Sequence, residues 1–110
     1  MSVDLKKHVI ELFVLALLTK GPSYGYKLVQ DLNQHILMSE STLYPVLRRL
    51  EKEGRLTTYN ELYQGRNRKY YKITPQGKKY IDSYIEEWKD IKKIYDIIMS
   101  EWRRAKWTNF

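Results

Sequence analysis

The amino-acid sequence predicts a mainly α fold that carries a two-stranded β-wing and ends in one long helix. Three observations carry this. Apolar residues recur at helical spacing over residues 9–18, 28–32 and 43–50, and again after Pro75. Between Arg55 and Thr74 the pattern changes to Thr, Tyr, Leu and Ile residues on either side of a turn. The breakers Gly21-Pro22, Gly54 and Thr74-Pro75 separate these stretches. A chain of 110 residues that is 43% hydrophobic and 14% aromatic suits one domain with a compact core. A domain of this size is marginal alone, and burying more surface in a dimer would add stability.

The first helix is expected from about Asp4 to Lys20, stopped by Gly21-Pro22. Nearly every position from Val9 to Leu18 is apolar, and a helix apolar all round must be covered on all sides. One small domain covers only part of it, so the rest is expected to face a second subunit. The run contains Glu11, is shorter than the roughly 18 residues of a membrane span, and lacks a small-residue cleavage site. A buried helix is therefore expected, and neither a signal peptide nor a membrane anchor. The absence of cysteine removes disulfides and thiolate metal sites and is consistent with a reducing cytoplasm.

Ser23 is expected to cap a second helix running from Tyr24 to about His35, with Leu28 and Leu32 on its inner face. After the short connection "ILMSES", a third helix starts near Ser39 or Ser41 and ends at Gly54. Leu43, Val46, Leu47 and Leu50 form its buried stripe. Ser41, Pro45, Arg48 and Lys52 point the opposite way, flanked by Tyr44 and Arg49. Two strands, "RLTTYNEL" and "RKYYKIT", are joined by "YQGRN". In the second strand Tyr71 and Ile73 make an apolar face and Tyr70 and Lys72 a basic one. Thr74 and Pro75 open the last helix as cap and first residue. It runs to about Arg104, and about 30 residues give roughly 45 Å, too long for its own domain. One stripe comprises Ile81, Ile85, Trp88, Tyr95, Met99 and Trp102, and a second Tyr84, Ile91, Ile94 and Ile98. One is expected to pack on the helix's own domain and the other on a partner chain.

Three helices, a hairpin and a long helix, in that order, describe a winged helix-turn-helix. The expected layout is a DNA-binding domain over 1–74, a dimerisation helix over 75–105 and a flexible tail over 106–110. The charge supports it. Residues 55–79 hold seven basic residues and one acid, Glu61, a net +6 in a chain of net +7. A charge run is ordinarily a solvated face, but here it sits on a hairpin behind a helix of the right kind, which points to a polyanion.

Enzyme chemistry finds little support. "GPSYGYK" lacks the phosphate-loop spacing and has no preceding strand. His8 and His35 stand alone, without a second ligand at metal spacing. No cofactor or metal is expected. Two classes remain, a sequence-specific DNA-binding repressor and a winged-helix protein-interaction module without operator binding. The basic wing favours the first.

The blocks "VLALLTKGPSYGYKLVQDL", "STLYPVLRRLEKEGRL" and "GRNRKYYKITPQGKKYI" resemble, in order and spacing, the PadR family of bacterial transcription regulators. The likeness spans roughly Leu5 to Met99. It implies a cytoplasmic homodimer, joined through the last helix, that binds double-stranded operator DNA and usually represses. The short length resembles the subfamily that includes regulators of multidrug efflux genes. On this reading Ser41, Thr42, Tyr44 and Arg48 face a major groove, where arginine can bond a guanine edge twice. Tyr44 reads equally as a half-buried packing residue, and Ser41 as a helix cap. Arg66, Arg68 and Lys69 of the wing would straddle a phosphate backbone or enter a minor groove. Lys27 is a further phosphate candidate. The resemblance also implies an effector pore between subunits, walled by His8, Leu12, Ile81, Tyr84, Ile85 and Trp88, that takes planar aromatic molecules. Trp88 reads equally as plain interface filling, and Tyr84 is bulky enough to close such a pore.

Overall fold

The computed structural model describes residues 3–108. Its elements are α1 (Val3–Leu18), β1 (Ser23–Tyr24), α2 (Gly25–Asn33), α3 (Glu40–Lys52), β2 (Leu56–Tyr63), β3 (Arg66–Ile73) and α4 (Pro75–Thr108). The winged helix-turn-helix order holds, with α2 and α3 as the helix-turn-helix and β2–β3 as the wing.

The fold departs from the sequence expectation in four places. Ser23 caps no helix: it lies in β1, whose residues pair with Tyr71 and Tyr70 of β3, so the sheet has three strands in the order β1-β3-β2. Extended backbone there leaves α2 to begin at Gly25, capped by no side chain. The hairpin is tighter than expected. Its strands run to Tyr63 and from Arg66, and only Gln64 and Gly65 turn, both with positive φ (51° and 78°). That is the left-handed pair that matches strand twist in a two-residue loop. α4 continues past Arg104 to Thr108, so residues 106–108 are helix; 109 and 110 lie outside the described residues. Finally, neither stripe of α4 lies along its own domain for its length. In the single chain Ile91, Ile94, Tyr95, Ile98 and Trp102 are all exposed. Only the first turns reach the domain, where Tyr80 and Ile81 pack on the core.

The core is the meeting of the helical stripes. Val14, Leu15, Leu28, Leu32, Leu43, Leu47 and Leu50 are wholly buried. The turn between α2 and α3 is held by Asn33, whose Nδ2 donates to the Met38 carbonyl and whose Oδ1 accepts from the Met38 N–H, both at 2.8 Å. Ser39 caps α3 by accepting from the Thr42 N–H at 3.3 Å. Thr74 caps α4, its Oγ1 accepting from the Gly77 N–H at 3.1 Å. The same hydroxyl donates to the Gly54 carbonyl at 2.7 Å, which fastens α4 to the end of α3.

Candidate nucleic-acid interface and apolar cavity

The buried stripe of α3 turns Ser41, Pro45, Arg48 and Lys52 outward, and all four are exposed. Arg48 and Lys52 have no ion-pair partner among the described residues, and the same is true of Arg66 and Lys72 on the wing. The hydroxyls at the start of α3 are engaged with each other: Ser39 Oγ lies 3.0 Å from both Ser41 Oγ and Thr42 Oγ1. Tyr44 is half-buried and belongs to the packing around the core. Its ring lies over Gly25, where an added Cβ would come within 2.5 Å of the phenol oxygen, so glycine is what lets α2 and α3 approach. Lys27 is exposed and its ammonium is 3.2 Å from Asp31.

The wing residues divide. Arg66 stands at the tip beside the turn. Arg68 is drawn inward, its guanidinium 3.8 Å from the ring centroids of Tyr24 and of Tyr63, with Nε donating to the Tyr70 hydroxyl at 3.1 Å. That bond is the main reason its pKa stands above the ordinary arginine value, with burial opposing. Tyr59 stacks on Tyr70 at 5.4 Å between centroids and extends the same aromatic face. Arg68 therefore ties the wing to β1. Lys69 points to the other face, 3.8 Å from Glu51 of α3, and Thr58 donates to Glu51 at 2.9 Å.

A second group, not anticipated from sequence, joins α1, α3 and α4. Glu11 is almost wholly buried, pairs with Arg49 of α3, and accepts at 3.1 Å from the Tyr80 hydroxyl of α4. A buried carboxylate in an apolar helix demands such partners, but its distant partners cannot be read from spacing. The Tyr80 proton is committed to Glu11, so His8 Nδ1, 3.3 Å from the same oxygen, is the donor there. His8 Nε2 is buried with no partner among the described residues.

The expected pore walls come together in part. A cavity of about 290 Å³ lies between α1 and α4, and Leu12, Ile81, Tyr84, Ile85 and Trp88 line it. His8 is not among the lining residues: its ring packs edge-on against Tyr84, 4.1 Å between centroids. Val9, Phe13 and Ala16 complete the lining, and their spacing on α1 with Leu12 was the available signal. The lining is almost entirely apolar.

Residues 14–83 match the model of the transcriptional regulator PadR-like family. Transcriptional regulator Rv3488 of Mycobacterium tuberculosis is 33% identical over 76 residues, covering 68% of this chain and 71% of that protein. Among solved structures, smu.1704 from Streptococcus mutans is 41% identical with a TM-score of 0.78, over 86% of this chain and 89% of that one. A PadR family transcription regulator from Clostridium difficile is 28% identical with a TM-score of 0.76, over 82% and 97%. Matching in sequence across the helix-turn-helix, wing and start of α4, and in fold along most of its length, the chain belongs to the PadR-like family of transcriptional regulators.

Proposed function

We propose that the chain is a homodimeric repressor that binds operator DNA through α3 and the wing and is released by a small hydrophobic or planar aromatic effector held between α1 and α4. The exposed outer face of α3 carries this reading, because Arg48 has its full charge available beside a basic wing. In each subunit Arg48 reads a base edge in the major groove. Arg66 holds the backbone or the adjacent minor groove, and Ser41 and Thr42 approach phosphates. Tyr44, Lys27 and Lys69 support that surface more than they contact DNA, and Arg68 sets the wing's attitude. Two-fold symmetry sets the half-sites about one helical turn apart, roughly 10 base pairs. The apolar cavity beside Trp88 receives the effector, whose flat face stacks on the indole. The protein works in the cytoplasm.

The test is fluorescence anisotropy with duplexes tiled across the DNA upstream of its own gene, against an unrelated duplex. Arg48→Ala should lower affinity for the preferred duplex about 10- to 100-fold while affecting the unrelated duplex much less. Equal losses on both would make Arg48 a phosphate contact. A parent that prefers no duplex would remove operator reading altogether. Planar cationic dyes should quench tryptophan fluorescence saturably in the parent and weakly in Trp88→Ala; equal quenching in both would take Trp88 out of the effector site.

A further inference from the structure

Beside the recognition face lies a second concavity, of about 550 Å³, between the N-terminal half of α1 and the N-terminal half of α3. Lys6 and Lys7 line it from α1, and Ser41, Thr42, Pro45 and Arg49 line it from α3. None of its lining residues is acidic. Arg49 is already committed to buried Glu11, so its charge is balanced from within. Lys6 and Lys7 are exposed and make no ion pair with any side chain described over residues 6–108. The available positive charge of this concavity is therefore theirs. Ser41 and Pro45 belong at once to this concavity and to the outward face of α3. Anything laid along that face passes the mouth of the concavity, where two ammonium groups and two hydroxyls are within reach.

From this placement we infer that Lys6 and Lys7 clamp a phosphodiester segment of the operator that runs alongside the groove occupied by α3. The inference rests on the reading of α3 as the DNA-facing helix. The wing grips the backbone on one side of α3 and the start of α1 grips it on the other, which fixes the helix in its groove. Such contacts carry no sequence information; they position. The predicted signature is electrostatic and indifferent to sequence.

The experiment compares the parent, Lys6→Ala/Lys7→Ala, and a control of equal charge change on the exposed part of α4, Lys93→Ala/Lys106→Ala. Affinities for the preferred duplex and for an unrelated one are measured from low to moderate salt, after confirming equal mass and thermal midpoint. Each phosphate deprived of its lysine flattens the log–log salt dependence by about 0.9, so four lysines per dimer should flatten it by about 3–4. Affinity should fall at least tenfold at moderate salt on both duplexes alike. A flattening of less than about 2 overturns the clamp, as does an equal flattening in the α4 control. A loss confined to the preferred duplex also overturns it, since that marks base reading. If the parent prefers its operator steeply and the lysine variant behaves like it, the clamp fails and the α3 reading stands. If the parent binds no DNA at low salt, both fail.

Discussion

At the residue scale, the charges of this chain fall into two kinds. Arg48 and Arg66 are exposed and unpaired among the described residues, whereas Arg49 and Arg68 are consumed inside the protein by Glu11 and by three tyrosines. The Glu11–Arg49 pair is lopsided, because Glu11 is buried and the Arg49 side chain is 47% exposed. Removing Arg49 strands a buried carboxylate, while removing the charge of Glu11 releases an arginine that water can solvate. Arg49→Met should therefore cost about 3 kcal/mol in urea unfolding, and Glu11→Gln about 1. A larger loss for Glu11→Gln would reverse that assignment. The tyrosines add a pH dependence. Burial first of all raises the phenol pKa of Tyr71 and of Tyr80, with Tyr84 adding to the shift at Tyr80 and Arg55 opposing it. The folded chain holds these protons more tightly than the unfolded one. Stability is thus full below the ordinary tyrosine value of about 10 and falls as pH rises above it through the raised folded values. Thermal midpoints should be level near neutrality and drop above that point, and drop less in Tyr80→Phe.

At the element scale, the wing depends on a turn of two residues. Gln64 and Gly65 both sit at positive φ, and a Cβ added at Gly65 would meet nothing within 4 Å. Substitution there tests backbone strain with no clash to confuse it. Gly65→Ala should destabilise by about 1 kcal/mol, in line with the cost of left-handed backbone for a residue with a side chain. Gln64→Asn should be neutral or stabilising, since Asn-Gly is the favoured pair for this turn. Circular dichroism melts would decide between these signs. A strongly destabilised Gln64→Asn would mean that the glutamine makes an interaction the turn geometry does not require. The remaining wing contacts, Arg68 against Tyr24 and Thr58 against Glu51, hold the hairpin to β1 on one side and α3 on the other. The wing is thereby coupled to the helix it must work beside.

At the scale of the whole molecule, the shape is set by α4. The chain measures 66 × 26 × 23 Å, with a radius of gyration of 17.9 Å. A compact domain of this length would have roughly 13 Å. The excess is a projecting helix whose Ile91, Ile94, Tyr95, Ile98 and Trp102 are each more than half exposed. A patch of this extent marks an interaction surface. Light scattering at micromolar concentration should return twice the 13.3 kDa chain mass. Ile94→Glu should shift it toward one chain by placing a charge in the interface. A single-chain mass for the parent would remove the dimer from the proposed function.

The sequence by itself determined the local elements, because their causes are local. Helical spacing in Leu43, Val46, Leu47 and Leu50 names a buried stripe and so an exposed one, which placed Arg48 outside before any packing was known. Thr74-Pro75 opened α4, and the PadR-like blocks identified the family. Tertiary structure alone decided what depends on distance between segments. β1 exists because β3 offers it a partner, and propensity could not have moved Ser23 from cap to strand. Arg68, one residue from Lys69, was inseparable from it as a basic wing residue until three tyrosines from β1, β2 and β3 closed around it. His8 matched a cavity wall by position yet packs against the ring of Tyr84 outside the lining, since helix spacing gives direction but not the rotation at which two helices meet. The network of Glu11, Arg49 and Tyr80 joins residues 38 and 69 positions apart. Only the folded chain brings those groups within hydrogen-bond reach, and a buried carboxylate takes whichever partners the packing supplies.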